Sequence, residues 1–229
     1  MSEIATQLNI IRQQIEEACT RSGRDPEQVR LVAVSKRKPA TMIDAAFDAG
    51  QELFGESYVQ ELVDKFDEVT KPVTWHFIGG LQSNKVKYLR GKVTMIHSVD
   101  RLSLAREIDR QWARLDEKIP VLVQVNLGEE ESKSGVEEAR LADLVTELSG
   151  LAHLQVVGLM TLPPYCPDPE DVRPYFRRLR ELSQHLAALD LPGVVMHELS
   201  MGMSHDFQVA VEEGATLVRV GSAIFGARD

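Results

Sequence analysis

Residues 120–160 read PVLVQVNLGEEESKSGVEEARLADLVTELSGLAHLQVVGLM. The segment begins with the nearly continuous apolar run PVLVQVN and ends with a second, LQVVGLM, and such runs are typical of strands that are covered on both faces. Between the two runs, apolar residues recur at helical spacing, at Leu141, Leu144, Val145 and Leu148. The segment therefore predicts two parallel strands that are joined by a helix.

Comparable apolar runs occur along the whole chain, and helical spacers separate them. The eight runs are Leu31–Lys36, Glu52–Gly55, Val73–Gly79, Val93–Val99, Pro120–Asn126, Leu154–Met160, Val194–Ser200 and Thr216–Gly221. No Pro-, Gly- or Ser-rich linker interrupts them, so we expect residues 1–229 to form a single domain. Eight strand–helix units predict an α/β protein with a closed (β/α)8 TIM barrel, and an open doubly wound sheet is the alternative.

An extra helix is expected before the first strand. Its apolar stripe consists of Ile4, Leu8, Ile11, Ile15 and Ala18. Only eight residues follow the last apolar run, so the eighth helix of the barrel must be short. We expect the N-terminal helix to cover the resulting gap.

The charge and the cysteine content of the chain limit the kinds of partner and of cellular compartment that we expect. Lys and Arg number 26 and Asp and Glu number 35, so the formal net charge is −9, which argues against a general affinity for nucleic acid or for an anionic membrane. The two cysteines, Cys19 and Cys166, are too few for a disulfide framework and indicate a reducing compartment. The sequence shows neither a secretory signal nor a membrane span, so we expect a cytoplasmic protein.

Lys36 stands at the end of the first predicted strand. The active face of a TIM barrel collects the C-terminal ends of its strands, and Lys36 shares side-chain parity with Val32 and Val34. An amine at a dry rim can have a lowered pKa and attack an aldehyde. The alternative is a solvated basic loop that also includes Arg37 and Lys38.

Small and hydroxylated residues follow the last two predicted strands. They are Ser200, Met201, Gly202, Met203 and Ser204 after the seventh strand, and Gly221, Ser222 and Ala223 after the eighth. In a TIM barrel these two loops form the usual phosphate site. The alternative is ordinary helix capping, for which Ser and Gly are equally suited.

Further polar residues lie in or at the ends of the predicted strands. Arg219 stands between two valines and needs an acceptor, either in a structural ion pair or in a ligand. His76 and Asn126 are candidate ligand contacts, whereas we expect His97 and His197 to be core residues. The histidines show no zinc-binding spacing, so no metal site is predicted.

The amine, the phosphate loops and the arginine suit an aldehyde that carries a phosphate and is held as a Schiff base. Pyridoxal 5′-phosphate (PLP) fits this description. A barrel that binds a different phosphate ester without a cofactor is an alternative, and it predicts a colourless protein.

Several motifs resemble those of the pyridoxal phosphate homeostasis protein family, and they extend from the first strand to the last residue. They are VAVSK-x-KP at 32–39, FGE-x-YVQE at 54–61, WHFIG-x-LQSNK at 75–85, HSVDR at 97–101, SKSG at 132–135, GLM at 158–160, LSMGMS at 199–204 and VRVGSAIFGARD at 218–229. The family is similar to the barrel domain of alanine racemase, the fold-type III scaffold for PLP. Two positions depart from its usual pattern, namely Ser57, where the family commonly has Asn, and Gly80, where it commonly has Pro.

The resemblance implies a role for each candidate residue. Lys36 would carry the Schiff base, and Arg219 would face the pyridine nitrogen. The residues that would hold the phosphate are Ser200, Gly221 and Ser222, assisted by Ser204 or by the backbone at Met201 and Gly202. Asn126 and His76 would line the cofactor or its approach.

The resemblance also implies that the protein is a carrier rather than an enzyme. Related racemases take a second base from an additional β domain of a partner subunit, and this chain ends directly after the eighth strand. We therefore expect a monomeric carrier or buffer of intracellular PLP that affects amino-acid and keto-acid metabolism and has PLP-dependent apo-enzymes as partners.

The alternative is a PLP-dependent racemase or a related Schiff-base enzyme, with Tyr58 or His205 as an internal second base. Lys133 is the second choice for the reactive amine, and a loop charge that follows three glutamates, Glu129–Glu131, is the preferred interpretation of that residue.

Overall fold

The computed structural model describes residues 2–128 and 134–226 of the chain. Its strands, in chain order, are β1 Arg30–Val34, β2 Leu53–Glu56, β3 Thr74–Phe77, β4 Met95–Val99, β5 Ile119–Asn126, β6 Val136–Glu137, β7 Leu154–Thr161, β8 Val194–Ser200 and β9 Leu217–Val220. Among the residues described, all the strand pairs are parallel, and β6 is a two-residue strand that pairs only with the end of β5.

The other eight strands close into a ring. β1 lies between β2 and β9, with Val32 opposite Arg219, and the ring closes where β4 pairs with β5. The predicted TIM barrel is therefore confirmed, and the open doubly wound sheet is wrong. Because the strands are parallel, all their C-terminal ends lie at one mouth of the barrel.

Helices surround the ring. They are α1 Glu3–Ser22, α2 Ala40–Asp48, α3 Val59–Glu68, α4 Leu102–Trp112, α5 Glu138–Ser149, α6 Arg173–Ala187, α7 Phe207–Glu212 and α8 Ser222–Phe225, with short 3-10 helices at Pro26–Gln28, Ser83–Tyr88 and Pro169–Val172. The connection from β3 to β4 thus contains a 3-10 helix where the barrel repeat would place an α-helix.

The extra N-terminal helix is confirmed. It begins at a Ser2 cap, whose Oγ accepts a hydrogen bond from the Ala5 N–H at 3.3 Å, and it ends at Gly23 with a φ of 67°. Such a left-handed residue is the usual end of an α-helix. The buried stripe of α1, which includes Leu8 and Ile11, packs against α2, α7 and the short α8, so α1 does cover the gap there.

Two apolar cores hold the fold together. The larger one lies between the strands and the helices, and the smaller one fills the inside of the barrel. The inner core consists of Val32, Met95, Leu122, Val157, Met160 and Leu217. A filled barrel is a rigid support, so functional side chains at its mouth are held on strands and strand ends that cannot easily shift.

Within the two described ranges, no helix is both long and apolar enough to cross a lipid bilayer. The same residues contain no group of His, Cys, Asp or Glu side chains that could hold a metal ion.

Candidate functional site

A cavity of about 760 Å³ lies at the C-terminal mouth of the barrel. Among the predicted site residues it brings together Lys36, Ser204, Arg219, Gly221 and Ser222. Residues from both ends of the chain therefore line one space, as expected of a barrel in which β1 pairs with β9.

Lys36 lies one residue beyond the end of the strand ladder rather than in the strand itself. The Ser35 N–H still donates to the Gly55 carbonyl at 3.1 Å, and the Lys38 N–H then donates to the Ser35 carbonyl at 3.0 Å. This bond closes a turn that contains Arg37. Arg37 has a φ of 61°, a left-handed value that residues other than glycine rarely adopt. The tight turn keeps the partly buried Lys36 at the cavity rim instead of letting it extend into solvent.

Arg219 is held on one side by the protein. Its Nη1 donates to Ser200 Oγ at 2.6 Å and its Nη2 donates to the Thr161 carbonyl at 2.9 Å. Burial lowers the pKa of Arg219 to about 10, and the nearby Asp206 carboxylate partly opposes that shift. The guanidinium therefore stays charged at neutral pH and can donate to an acceptor in the cavity that it lines.

Ser200 belongs to a buried polar chain and not to the cavity lining. Its hydroxyl accepts from Arg219 and lies 2.9 Å from Nδ1 of His97, whose Nε2 lies 2.9 Å from Nδ1 of His76. Burial lowers the pKa of His76 to about 3 and that of His97 well below its usual value. Both imidazoles are therefore neutral. The series of hydrogen bonds runs from Arg219, which lines the cavity, through Ser200 and His97 to His76 in the barrel interior.

The side-chain direction of Ser200 explains why the structure does not bring it to the loops that were predicted to bind phosphate. Ser200 is the last residue of β8 and its side chain points inward, where the Arg219 and His97 side chains meet it. His76, also a predicted contact, is 3% exposed and lies in the same interior layer. The structure therefore gives Ser200 and His76 an indirect connection to the cavity, through Arg219.

Met201 and Gly202 are likewise buried away from the cavity lining. The Met201 N–H donates to the Leu217 carbonyl and the Gly202 carbonyl accepts from the Arg219 N–H, so their backbone groups extend the ladder between β8 and β9. Gly202 has a φ of 90°, and a Cβ there would lie 2.5 Å from Cβ of Ala210. Glycine is thus required by packing at this position.

The loops after β8 and β9 meet at Ser204. Its Oγ accepts from the backbone N–H groups of Gly221 at 3.2 Å and of Ala223 at 3.5 Å. Asp206 supports the same loop, because its carboxylate accepts from the Met203 N–H at 2.6 Å. Two backbone donors therefore converge on one oxygen beside the cavity, which is the kind of place that a phosphate oxygen can take.

Asn126 ends β5 outside the cavity lining, whereas Gln124 lines the cavity. Gln124 Nε2 donates to the Ser134 carbonyl at 2.8 Å. Gln124 was not among the predicted contacts, although the parity it shares with Asn126 is a signal that could have identified it. Thr161 and Asp206 were not predicted either.

The remaining candidates are divided between the cavity and the surface. Ser57, Tyr58, Gly80 and His205 line the cavity. His97 is buried, as expected, but the expectation for His197 is wrong, because its side chain is 55% exposed and lies beside Glu198 in the solvent-accessible half of β8. Lys133 lies outside the described residues.

Comparisons with known proteins agree with this architecture. The family model described as "Alanine racemase, N-terminal domain" matches residues 7–229. The pyridoxal phosphate homeostasis protein of Aquifex aeolicus is 46% identical over 222 residues, which cover 96% of this chain and 96% of that protein. The protein of the same name from Escherichia coli K12 is 43% identical over 233 residues, which cover 100% of this chain and 98% of the relative.

A solved structure is similar over nearly the same length. PipY of Synechococcus elongatus PCC7942, with PLP bound, has a TM-score of 0.86 and 37% sequence identity, and the match covers 97% of this chain and 100% of PipY. The barrel and the family model first define the class, that of proteins built on the alanine racemase N-terminal domain. Within that class, the chain belongs to the pyridoxal phosphate homeostasis protein family.

Proposed function

We propose that this chain binds PLP and holds it as a Schiff base on Lys36. In forming that bond, the lysine nitrogen replaces the aldehyde oxygen, which leaves as water. The observation that carries the proposal is that Lys36, Arg219 and the residues around Ser204 line a single cavity. The PLP-bound structure of the relative PipY supports the same assignment.

The residues of the cavity fit PLP group by group. An amine at the rim can meet the aldehyde, and the N–H groups of Gly221 and Ala223 already surround one oxygen, that of Ser204. Ser222 adds a hydroxyl to that end of the cavity. Arg219 is a fixed, charged donor for the ring nitrogen. The aldehyde, the phosphate and the ring nitrogen of the cofactor thus each have a chemically matched partner.

The Arg219 side chain also fits a carrier, although racemases of this fold use an arginine as well. When bound, PLP supplies an electrophilic aldehyde and a ring that withdraws electrons. A guanidinium does not give up its proton at neutral pH, so Arg219 keeps the ring nitrogen unprotonated and weakens that withdrawal. The relatives of this chain are named pyridoxal phosphate homeostasis proteins, which supports a role other than catalysis. We propose a cytoplasmic, monomeric carrier or buffer of PLP without turnover, which supplies PLP-dependent apo-enzymes and so affects amino-acid and keto-acid metabolism.

An absorption spectrum of the purified protein tests the cofactor, and peptide mapping tests the lysine. We expect a visible Schiff-base band, and after borohydride reduction we expect the cofactor mass on the peptide that contains Lys36. Lys36→Ala should abolish the covalent link and retain part of the PLP through the phosphate loops. A colourless protein, or a reduced adduct on another lysine such as Lys133, would contradict the assignment.

A racemase or related Schiff-base enzyme is the second candidate, because Tyr58 and His205 line the same cavity and either could serve as a second base. The holoprotein incubated with L-amino acids in deuterated water separates the two candidates. A carrier leaves the Cα hydrogen in place, whereas a racemase introduces solvent deuterium at Cα at the rate of turnover.

A further inference from the structure

A buried ion pair lies directly behind the Lys36 turn. Lys65 of α3 is 5% exposed, and Glu56 at the end of β2 is fully buried. Lys65 Nζ lies 2.6 Å from Glu56 Oε1 and 2.7 Å from Oε1 of Glu61, which is also on α3. We call Ser35, Glu56, Glu61 and Lys65 the Lys65 brace.

The brace contacts the backbone on both sides of Lys36. On the N-terminal side of Lys36, Lys65 Nζ donates to the Ser35 carbonyl at 2.6 Å, and Ser35 Oγ donates to Glu56 Oε1 at 2.7 Å. On the C-terminal side of Lys36, the backbone N–H of Arg37 donates to Glu61 Oε1. The Lys65 ammonium group therefore holds the carbonyl of Ser35 by a direct hydrogen bond. It holds the N–H of Arg37 indirectly, because both groups donate to Glu61.

The turn needs such support. Arg37 has a φ of 61°, and a non-glycine residue keeps this conformation only where its surroundings enforce it. The hydrogen bond from the Arg37 N–H to Glu61 and the bond from the Lys38 N–H to the Ser35 carbonyl act on the two sides of that residue. Without them, the backbone at Arg37 would relax toward a common conformation and would carry Lys36 with it.

Stability alone does not explain the ion pair. Burying two charges costs about as much as their attraction returns, and apolar residues of similar size often do as well. Burial raises the pKa of Glu56, although Lys65 opposes the shift. In addition, Glu56 Oε2 has no hydrogen-bond partner among the residues that the structure describes. The contacts with Ser35 and Glu61 indicate instead that the ion pair fixes the backbone of the turn around Lys36.

We propose that Lys65, acting with Glu56 and Glu61, is a positioning residue that fixes the Lys36 turn so that the Lys36 amine is presented to the cavity. The proposal rests on the proposed function for the identity of the aldehyde that Lys36 meets. No residue of the Lys65 brace is among the residues that line the cavity. The effect of the brace is therefore on the rate of covalent capture and on the local order of the turn.

The first test uses Lys65→Met, with Lys71→Met as the matched control, because Lys71 forms an ion pair with Asp48 on the surface. We expect capture of PLP by Lys36 to slow on the order of tenfold to a hundredfold in Lys65→Met, the usual cost of a displaced reactive group. Binding of pyridoxine 5′-phosphate, which lacks the aldehyde, should be unchanged. The control should match the wild type in both measurements. Equal losses for both ligands would show a merely structural role and overturn the proposal.

A second pair of variants keeps the buried ion pair intact and so avoids a failure to fold. Glu61→Ala removes the acceptor of the Arg37 N–H, and we expect capture to slow about threefold to tenfold, the loss that one hydrogen bond produces. Glu61→Gln retains an acceptor oxygen and should restore most of the rate. If both variants capture PLP at the wild-type rate, the brace does not position Lys36.

Hydrogen exchange on ligand-free protein separates this proposal from the proposed function. We expect the Arg37 and Lys38 amides to exchange at least about tenfold faster in Glu61→Ala than in the wild type, because local order controls exchange. Unchanged exchange overturns the brace whether or not PLP binds. A wild-type protein that forms no adduct on Lys36 overturns the proposed function, while faster exchange in the variant would still support the brace.

Discussion

Ser200→Ala removes the hydroxyl that connects the arginine of the site to the buried imidazoles. Ser200 is fully buried, and its Oγ accepts from Arg219 at 2.6 Å and lies 2.9 Å from His97 Nδ1. A hydrogen bond to a charged group contributes about 1.5–3 kcal/mol and a neutral one about 1 kcal/mol. Because alanine satisfies neither partner, we expect the free energy of unfolding to fall by about 2–4 kcal/mol.

Equilibrium urea unfolding at pH 7 measures this loss as a lower midpoint with an unchanged slope. Ser98→Ala is the matched control, because Ser98 is also buried but its Oγ has no hydrogen-bond partner in the described part of the chain. Removing an unpaired hydroxyl should be neutral or slightly stabilising. If Ser200→Ala also leaves the midpoint unchanged, the polar chain from Arg219 to His76 does not stabilise the barrel, and the reasoning is refuted.

The same structure predicts three further effects. The pKa of His76 is about 3 in the folded protein and about 6.5 in the unfolded chain. The contribution of neutral His76 to the free energy of unfolding is therefore complete above pH 6.5 and is lost as the pH falls toward 3. The loss is about 2 kcal/mol at pH 5, and unfolding of His76→Asn at pH 7 and pH 5 should show a correspondingly weaker pH dependence. Gly202→Ala should cost about 2–4 kcal/mol in urea unfolding, because its φ is 90° and its new Cβ meets Ala210, so a wild-type midpoint would contradict the packing argument. Leu8→Ala removes a fully buried side chain of α1 and should cost about 2–5 kcal/mol, whereas Ile10→Ala, at an exposed position of the same helix, should cost under about 1 kcal/mol.

The local pattern of the sequence determined the architecture and the principal charged residues of the site. Alternating apolar runs and helical spacers are sufficient for a parallel barrel, because parallel strands need helical crossovers and a chain of eight such units can close. Parity and the end of the first run identified Lys36 as a rim residue, and the small residues after the last two runs identified Ser204 and Gly221. Each of these inferences uses only neighbours along the chain.

Only the tertiary structure decided how those residues are supported. His97 and Ser200 are 103 positions apart in sequence, so no local pattern reveals that they share a hydrogen bond. The division between Ser200, in the barrel interior, and Ser204, at the cavity, depends on where β8 ends against β9. The contact of Lys65 with the Ser35 carbonyl likewise exists only once α3 is packed behind β1 and β2. Side-chain periodicity fixes the face on which a residue lies, but the residue that it meets there is set by strand register and helix packing, which are properties of the closed ring as a whole.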